Sequence, residues 1–175
     1  MGQGSTTDQS FGLLAGLEAG ELYLDYQPIF DIQTLDCVGA EALIRWRHPE
    51  RGTVYPDQFL PHAQHRGLAD RLTKVVICDA LAQHRAWREA GHIVPVSINI
   101  GPEGFVGRAS FDVIERALDQ YEVEPHHLTV EVTEGEADDV NSAIGPRLIE
   151  LSRLGVRVSL DDFGTGHASL ARLQR

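Results

Sequence analysis

The sequence predicts an α/β fold in which parallel strands, backed by helices, follow an antiparallel hairpin. Three features carry that expectation. From Val94 onward, segments of strand length alternate with segments of helical periodicity, and helix-length crossovers make neighbouring strands parallel. Ahead of them, two alternating segments lie so close in sequence that an antiparallel hairpin joins them. Each later strand divides into an apolar and a polar face, with an acid or amide near its C-terminal end. That end is where α/β folds place their sites.

Taken in order, residues 1–10 (MGQGSTTDQS) are small, polar and glycine-bearing, a disordered lead-in to one domain over 11–175. Leu13, Leu14 and Leu17 mark a short helix closed by Gly20. Leu22, Leu24 and Tyr26 alternate with Tyr23, Asp25 and Gln27 as a strand, and Pro28 argues against a central hydrogen-bonded position there. Asp31–Asp36 reads as a turn, Cys37–Trp46 as the second strand and His48–Gly52 as a loop. Helices are expected over Asp57–Gly67 and Leu68–Ala90, the second by Leu72, Val76 and Ala80 beside Ile77 and Leu81, with Gly91 as its cap. Val94–Ile100 is a strand, and Ser110 is the expected N-cap of a helix carrying Phe111, Ile114, Leu118 and Tyr121. Leu128–Glu134 is the next strand. A helix over Asp138–Leu154 follows, with Pro146 in its first turn and Gly155 closing it. Val156–Asp162 is the last strand, and Ala168–Leu173 begins another helix.

The 175 residues carry 26 acids against 15 Lys and Arg, a net charge of −11. That argues against binding a nucleic-acid polymer or an anionic membrane, both of which need basic surface. An anionic small substrate stays open if metal ions or a local arginine offset the repulsion. Cys37 and Cys78 stand in no metal-ligand or redox spacing, which points to a reducing cytoplasm. No apolar run approaches the ~20 residues of a spanning helix, and no secretory signal opens the chain. A soluble, cytoplasmic protein is expected.

The polar strand faces carry the chemistry. Ser97 and Asn99 share one face, as do Thr129, Glu131 and Thr133, then Arg157, Ser159 and Asp161; Glu41 sits on the matching face of the second strand. One reading turns these faces to water, the usual outcome for an amphipathic strand in an antiparallel sheet. Parallel strands joined by helices are normally buried on both faces, which favours a barrel interior or crevice. Glu41, Asn99, Glu131 and Asp161 then converge, with Asp162 just beyond. Four carboxylates and an amide suit hard divalent cations such as Mg²⁺ or Mn²⁺. Five ligands are natural for two ions bridged by Asp161, an arrangement that activates water against a phosphodiester.

These residues resemble a known family. Glu41-Ala-Leu43 within Val-Gly-Ala-Glu-Ala-Leu-Ile-Arg-Trp, then Asn99, Glu131-Val-Thr-Glu134 and Asp161-Asp-Phe-Gly-Thr-Gly166 are similar to the EAL domain, as are Tyr-Gln27-Pro28-Ile and Phe59-Leu-Pro61. The resemblance runs from about Leu13 to Arg175. It implies a partial TIM-like (β/α) barrel with an antiparallel first strand, and hydrolysis of cyclic di-GMP to linear pGpG. It implies metal ligation by Glu41, Asn99, Glu131, Asp161 and Asp162, with Glu41, Asp161 and Asp162 catalytic and two Mg²⁺ or Mn²⁺ ions as cofactors. Gln27, Leu43 and Arg45 match substrate-contacting positions, Arg45 as a phosphate contact, and Glu134 matches a glutamate bracing the Asp161–Gly166 loop. Two alternatives stand beside these roles: Arg45 as an ion-pair partner and Gln27 as a satisfied strand amide. The family also admits a homodimer through the barrel, and a GGDEF or sensor domain in a longer parent.

Departures accompany the match. Gly101-Pro-Glu-Gly104 replaces the usual residues after Asn99, His167 stands for a tyrosine, and Ala63-Gln64 stands for Ala-Glu. Only five strands are visible where a full barrel needs eight, and the family's catalytic lysine, with a later acid and glutamine, lies on strands and loops not seen here. The expectation is a fragment or truncated product carrying the N-terminal two thirds of the domain. Its later strands are missing, so strand edges and part of a core face are exposed. Within the fold the alternative is a non-catalytic domain that binds cyclic di-GMP or another protein. Other chemistries lack their motifs: no glycine-rich nucleotide loop accompanies Asp162-Phe-Gly, and no His-Glu-x-x-His or Gly-x-Ser-x-Gly occurs. The eight histidines are read as surface residues.

Overall fold

A computed structural model describes residues 12–101, 104, 109–133 and 144–161. Along the chain come α1 (Leu13–Ala19), β1 (Leu22–Phe30), β2 (Cys37–His48), β3 (Gly52–Val54), α2 (Pro56–His65) and α3 (Ala69–Glu89). Then follow β4 (Val96–Asn99), α4 (Ala109–Tyr121), a 3-10 turn at Pro125–His127, β5 (Leu128–Thr133), α5 (Ile144–Leu154) and β6 (Arg157–Asp161). The sheet order is β1-β2-β4-β5-β6, with β3 paired to β2. The β1–β2 and β2–β3 pairs are antiparallel, and β2–β4, β4–β5 and β5–β6 are parallel. This is the expected α/β arrangement, a partial (β/α) barrel with an antiparallel first strand.

The hairpin turns where Asp31 organises it. Its Oδ1 accepts from the backbone N–H of Gln33 at 2.8 Å and of Thr34 at 2.9 Å. Those two bonds favour the ionised carboxylate and hold its pKa below the ordinary value. Pro28 is accommodated because β1 is the end strand of the described sheet, where a missing N–H leaves no central ladder broken. The loop expected at His48–Gly52 is instead a tight turn. His48 still belongs to β2, and Gly52, in the left-handed region at φ 70°, starts the short return strand β3. No alternation long enough to signal a strand exists in three residues.

β2 changes neighbours along its length. Ala40–Ala42 pair with Val96–Ile98 of β4, whereas Trp46–His48 pair with β3. Leu43, Ile44 and Arg45 lie between the two pairings.

Two apolar cores follow from the strand alternation. The larger packs the apolar face of β4 and β5 (Val96, Ile98, Val130, Val132), with Val156 just ahead of β6, on Val76, Ile77, Ala80 and Leu81 of α3 and on Ile114 and Leu118 of α4. The smaller gathers Leu13, Leu22, Trp46, Val54, Phe59, Ala63 and Leu72, with Ile44 packed against both. Trp46 is its centre, and its Nε1–H donates to Glu21 Oε2 at 2.9 Å. Gly16 lets α1 close on that indole; a Cβ there would stand 2.7 Å from Trp46 Nε1 and 2.9 Å from Glu21 Oε2.

Several local expectations are adjusted. α4 begins at Ala109, so Ser110 is a buried residue of its first turn and not its N-cap. Pro146 is the third residue of α5, in its first turn as expected, and Gly155 follows the helix at φ 97°. Residues 138–143 of the helix expected over Asp138–Leu154, and the helix expected over Ala168–Leu173, lie outside the described residues. His84 is fully buried, against the surface reading of the histidines. Its Nδ1–H donates to the Val94 carbonyl at 2.7 Å, and its ring lies 5.0 Å from that of His127. Exposed large apolar residues include Val158 and Leu160 on β6, and Ile29, Phe30, Ile32, Leu35 and Val38 around the hairpin turn. Among the described residues no helix is long and apolar enough to cross a membrane.

Two outcomes follow. Gly16→Ala forces α1 off Trp46 and lowers stability by about 1–3 kcal/mol, read by urea unfolding followed through tryptophan fluorescence. The second concerns pH. Burial, then His126 and His84, hold the His127 pKa below its ordinary 6.5. The folded state therefore binds fewer protons there than the unfolded state. This contribution to stability is complete above pH 6.5 and is lost as pH falls from 6.5 toward the lowered folded pKa. Unfolding midpoints should fall with pH before carboxylates titrate, and His127→Gln should flatten that slope.

Candidate active site

Register places the polar side chains on shared rungs. Gln27 of β1 is opposite Glu41 of β2, Glu41 is level with Ser97 of β4, and Ser97 is level with Thr129 of β5. One rung on, Asn99 is level with Glu131, and Glu131 with Ser159. The rung beyond pairs Thr133 with Asp161, the last residue of β6. Alternation puts Gln27, Glu41, Ser97, Asn99, Thr129, Glu131 and Ser159 on the face opposite the helix-packed core.

The structure brings Glu41 and Asn99 into contact. Asn99 Nδ2 donates to Glu41 Oε1 at 2.9 Å. A carboxylate can only accept, so the amide nitrogen must face it, and Asn99 Oδ1 is left as an oxygen donor for a ligand. Glu131 stands on the next strand at the Asn99 rung, half-buried. Asp161 is placed by its backbone at the end of β6; Asp162 and Glu134 lie outside the described residues.

Gln27 is exposed on β1, and Leu43 is half-buried on β2. Arg45 lies one rung beyond Leu43, in register with Tyr23. Its Nε is 3.2 Å from Asp25 Oδ2, and its Nη1–H donates to the Ile44 carbonyl at 2.9 Å. The Nε is buried and lies off the line of a formed hydrogen bond, so the Asp25 contact is a charge pair and not an aligned donor bond. The guanidinium carbon sits 5.1 Å from the centroid of the Tyr55 ring. The ion-pair role weighed for Arg45 is therefore present in this state. Asp25 and Tyr55 were not singled out from the sequence, although the alternation of β1 already set Asp25 on the Gln27 face.

Beside these residues is a cavity of about 340 Å³. Leu43, Ile44 and Asn99 form its strand wall, Leu60 and Gln64 come from α2, and Thr73 from α3. The wall is mainly apolar with a few polar groups, the usual make-up of a small-molecule site. Sequence reading had noted Ala63-Gln64 only as a local substitution.

The donor set can be tested against divalent cations. Glu41, Asn99 and Glu131 present oxygen on three adjacent strands, Glu41 within β2 and the other two toward the C-terminal ends of β4 and β5, the chemistry Mg²⁺ and Mn²⁺ take. Beneath them Ser97, level with Glu41, is buried, and among the described residues its Oγ has no partner. An orphaned buried hydroxyl is costly unless a ligand or its hydration shell meets it. The residues present fit the group. Among the described residues no three His, Cys, Asp or Glu side chains are placed to hold a metal ion together. Asn99 offers an amide oxygen in place of such a group, and the Asp161 side chain and Asp162 lie outside the described residues.

Comparison with known proteins bears on the same arrangement. A family model described as "EAL domain" matches residues 12–175. The bifunctional diguanylate cyclase/cyclic di-GMP phosphodiesterase MucR of Pseudomonas aeruginosa is 38% identical over 164 residues, covering 93% of this chain and 24% of MucR. The signaling protein YkoW of Bacillus subtilis is 36% identical over 167 residues, covering 95% of this chain and 21% of YkoW. The chain thus spans about a quarter of the length of these relatives. Among solved structures, a PaMucR phosphodiesterase in complex with c-di-GMP aligns with a TM-score of 0.87 at 37% identity, over 95% of this chain and 68% of that one. The EAL enzyme Bd1971, in its cAMP and cyclic-di-GMP bound form, aligns with a TM-score of 0.85 at 26% identity, over 95% of this chain and 47% of that one. Fold and sequence agree: this chain belongs to the EAL domain family, a family of cyclic di-GMP phosphodiesterases.

Proposed function

We propose that this chain carries the metal-binding wall of a phosphodiesterase that hydrolyses cyclic di-GMP to linear pGpG with two Mg²⁺ or Mn²⁺ ions. The observation that carries the reading is the Glu41–Asn99 contact, with Glu131 on the adjoining strand, in a chain of this family. Glu41, Asn99, Glu131, Asp161 and Asp162 would hold the ions. When bound, such ions lower the pKa of water and offset the charge of the phosphodiester. They also answer the difficulty of bringing an anionic dinucleotide to a protein of net charge −11.

The chain's own residues divide the remaining work. The hydrogen bond from Asn99 fixes the Glu41 carboxylate, so that its second oxygen keeps one orientation. Arg45 offers a guanidinium to non-bridging phosphate oxygens. Leu43 and the neighbouring apolar cavity, about 340 Å³, take up a base and exclude water beside the reacting phosphate. Gln27, opposite Glu41 on the hairpin, supplies an amide to the substrate from the other side. Glu134 braces the loop after β6.

The test measures pGpG release and cyclic di-GMP binding in parallel, in a protein that continues through the strands bearing the family's catalytic lysine. Glu41→Ala or Asp161→Ala should reduce turnover more than about 100-fold, since even partners of metal ligands cost 10–100-fold. Arg45→Ala should raise KM about tenfold with a smaller change in kcat, as expected for a charged hydrogen bond made to bound substrate. Rates near wild type in the Glu41 variant would remove the assignment. Binding without turnover would identify a non-catalytic receptor for the same ligand. Chelation with EDTA should abolish turnover, and Mn²⁺ or Mg²⁺ should restore it. The Mn²⁺ affinity, read by electron paramagnetic resonance, should fall in Glu41→Ala and Asn99→Ala.

A further inference from the structure

Arg45 is held on three sides by groups with no assigned part in the reaction. Asp25 of β1 faces its Nε at 3.2 Å, the Ile44 carbonyl takes one hydrogen of Nη1 at 2.9 Å, and the Tyr55 ring lies 5.1 Å from its guanidinium carbon. The Arg45 side chain is 14% exposed and that of Asp25 54% exposed. The arginine is therefore the enclosed partner and the aspartate the one reaching in from the rim. A buried cation on a flexible stem would sample several rotamers and pay that entropy when a ligand binds. Here the Nε edge faces Asp25 in a charge contact, and one Nη1 hydrogen is bonded to the Ile44 carbonyl. Among the described residues, the rest of the Nη1–Nη2 end has no partner.

We propose that Asp25 is a positioning residue: it fixes the Nε edge of Arg45 so that the terminal nitrogens meet a phosphate oxygen pair end-on. The inference deepens the proposed function and rests on its reading of Arg45 as a phosphate contact. Asp25 occupies the Nε edge, which a phosphate could otherwise take side-on, so it selects between the two planar forks of the guanidinium. Tyr55 closes the flat side of the group, where a planar cation stacks without using a donor. Asp25 touches no substrate in this scheme and acts through Arg45.

Two measurements test it. The first needs no substrate: the arginine Nε–H resonances of the chain are recorded by ¹H–¹⁵N NMR, with Arg45 assigned by its loss in Arg45→Lys. A shifted, slowly exchanging Arg45 signal is expected in wild type, returning to the bulk arginine position in Asp25→Asn and Asp25→Ala and recovered in part in Asp25→Glu. An Arg45 signal unchanged in Asp25→Asn overturns the proposal. The second is the dissociation constant for cyclic di-GMP with Mg²⁺ present. Asp25→Asn should weaken binding about two- to fivefold, the range of a partly exposed ion pair, and should have no further effect in an Arg45→Ala background. Equal losses in both backgrounds would mean that Asp25 acts independently of Arg45, and would also overturn it. A wild-type chain that does not bind cyclic di-GMP would sink the proposed function, while the NMR arm still decides whether Asp25 fixes Arg45. Circular dichroism melts separate either result from simple unfolding.

Discussion

The two-residue period of β2 is the constraint on which the rest of the molecule depends. Ala40, Ala42, Ile44 and Trp46 face the helices, while Glu41, Leu43 and Arg45 face the candidate site. A slip of one residue would exchange the two sets, burying a glutamate and an arginine among aliphatic side chains. Pairing on both sides guards against it: β1 follows β2 through eight consecutive rungs before the irregularity at Ile29 and Phe30, and β4 locks Ala40–Ala42 from the other side. The Trp46–Gly16 contact pins the far end, because the indole is too large to be accepted anywhere except where α1 lacks a Cβ.

The site is then electrostatically unfinished by design of its strands. Two carboxylates and an amide stand on one face of β2, β4 and β5, and among the described residues the buried serine hydroxyl below them has no partner. In the proposed function a cation balances this group of oxygens. Arg45, the nearest positive side chain on β2, is meanwhile engaged by Asp25 and folded against its own backbone.

Much of this was readable from residue order. Strand alternation located the polar faces of β2, β4 and β5 because buried strands leave no other pattern, and Glu41 and Asn99 meet as their faces imply. What was not readable depends on pairing across the chain. The return strand β3 is three residues long, too short to show a period. Asp25 carries no local mark of its partner, since register with β2 alone brings it to Arg45. His84 is polar by type, and its burial follows from the Val94 carbonyl lying within reach of α3. Ser110 looks like a cap in sequence, yet α4 takes one more residue ahead of it, and Ser110 is buried in its first turn.

The exchange of neighbours along β2 has a consequence for how the cavity could be resized. β4 accompanies β2 as far as Ala42 and β3 takes over at Trp46, so the cavity opens at a seam between two ladders, with Ala42, Leu43 and Ile44 in its wall. Its width is thus a property of chain path more than of side-chain volume. Lengthening or shortening the turn at 49–51 would move β3 along β2 and widen or close the seam without changing any residue that lines it. Loop length, an easily varied trait, becomes a dial on what fits beside Asn99.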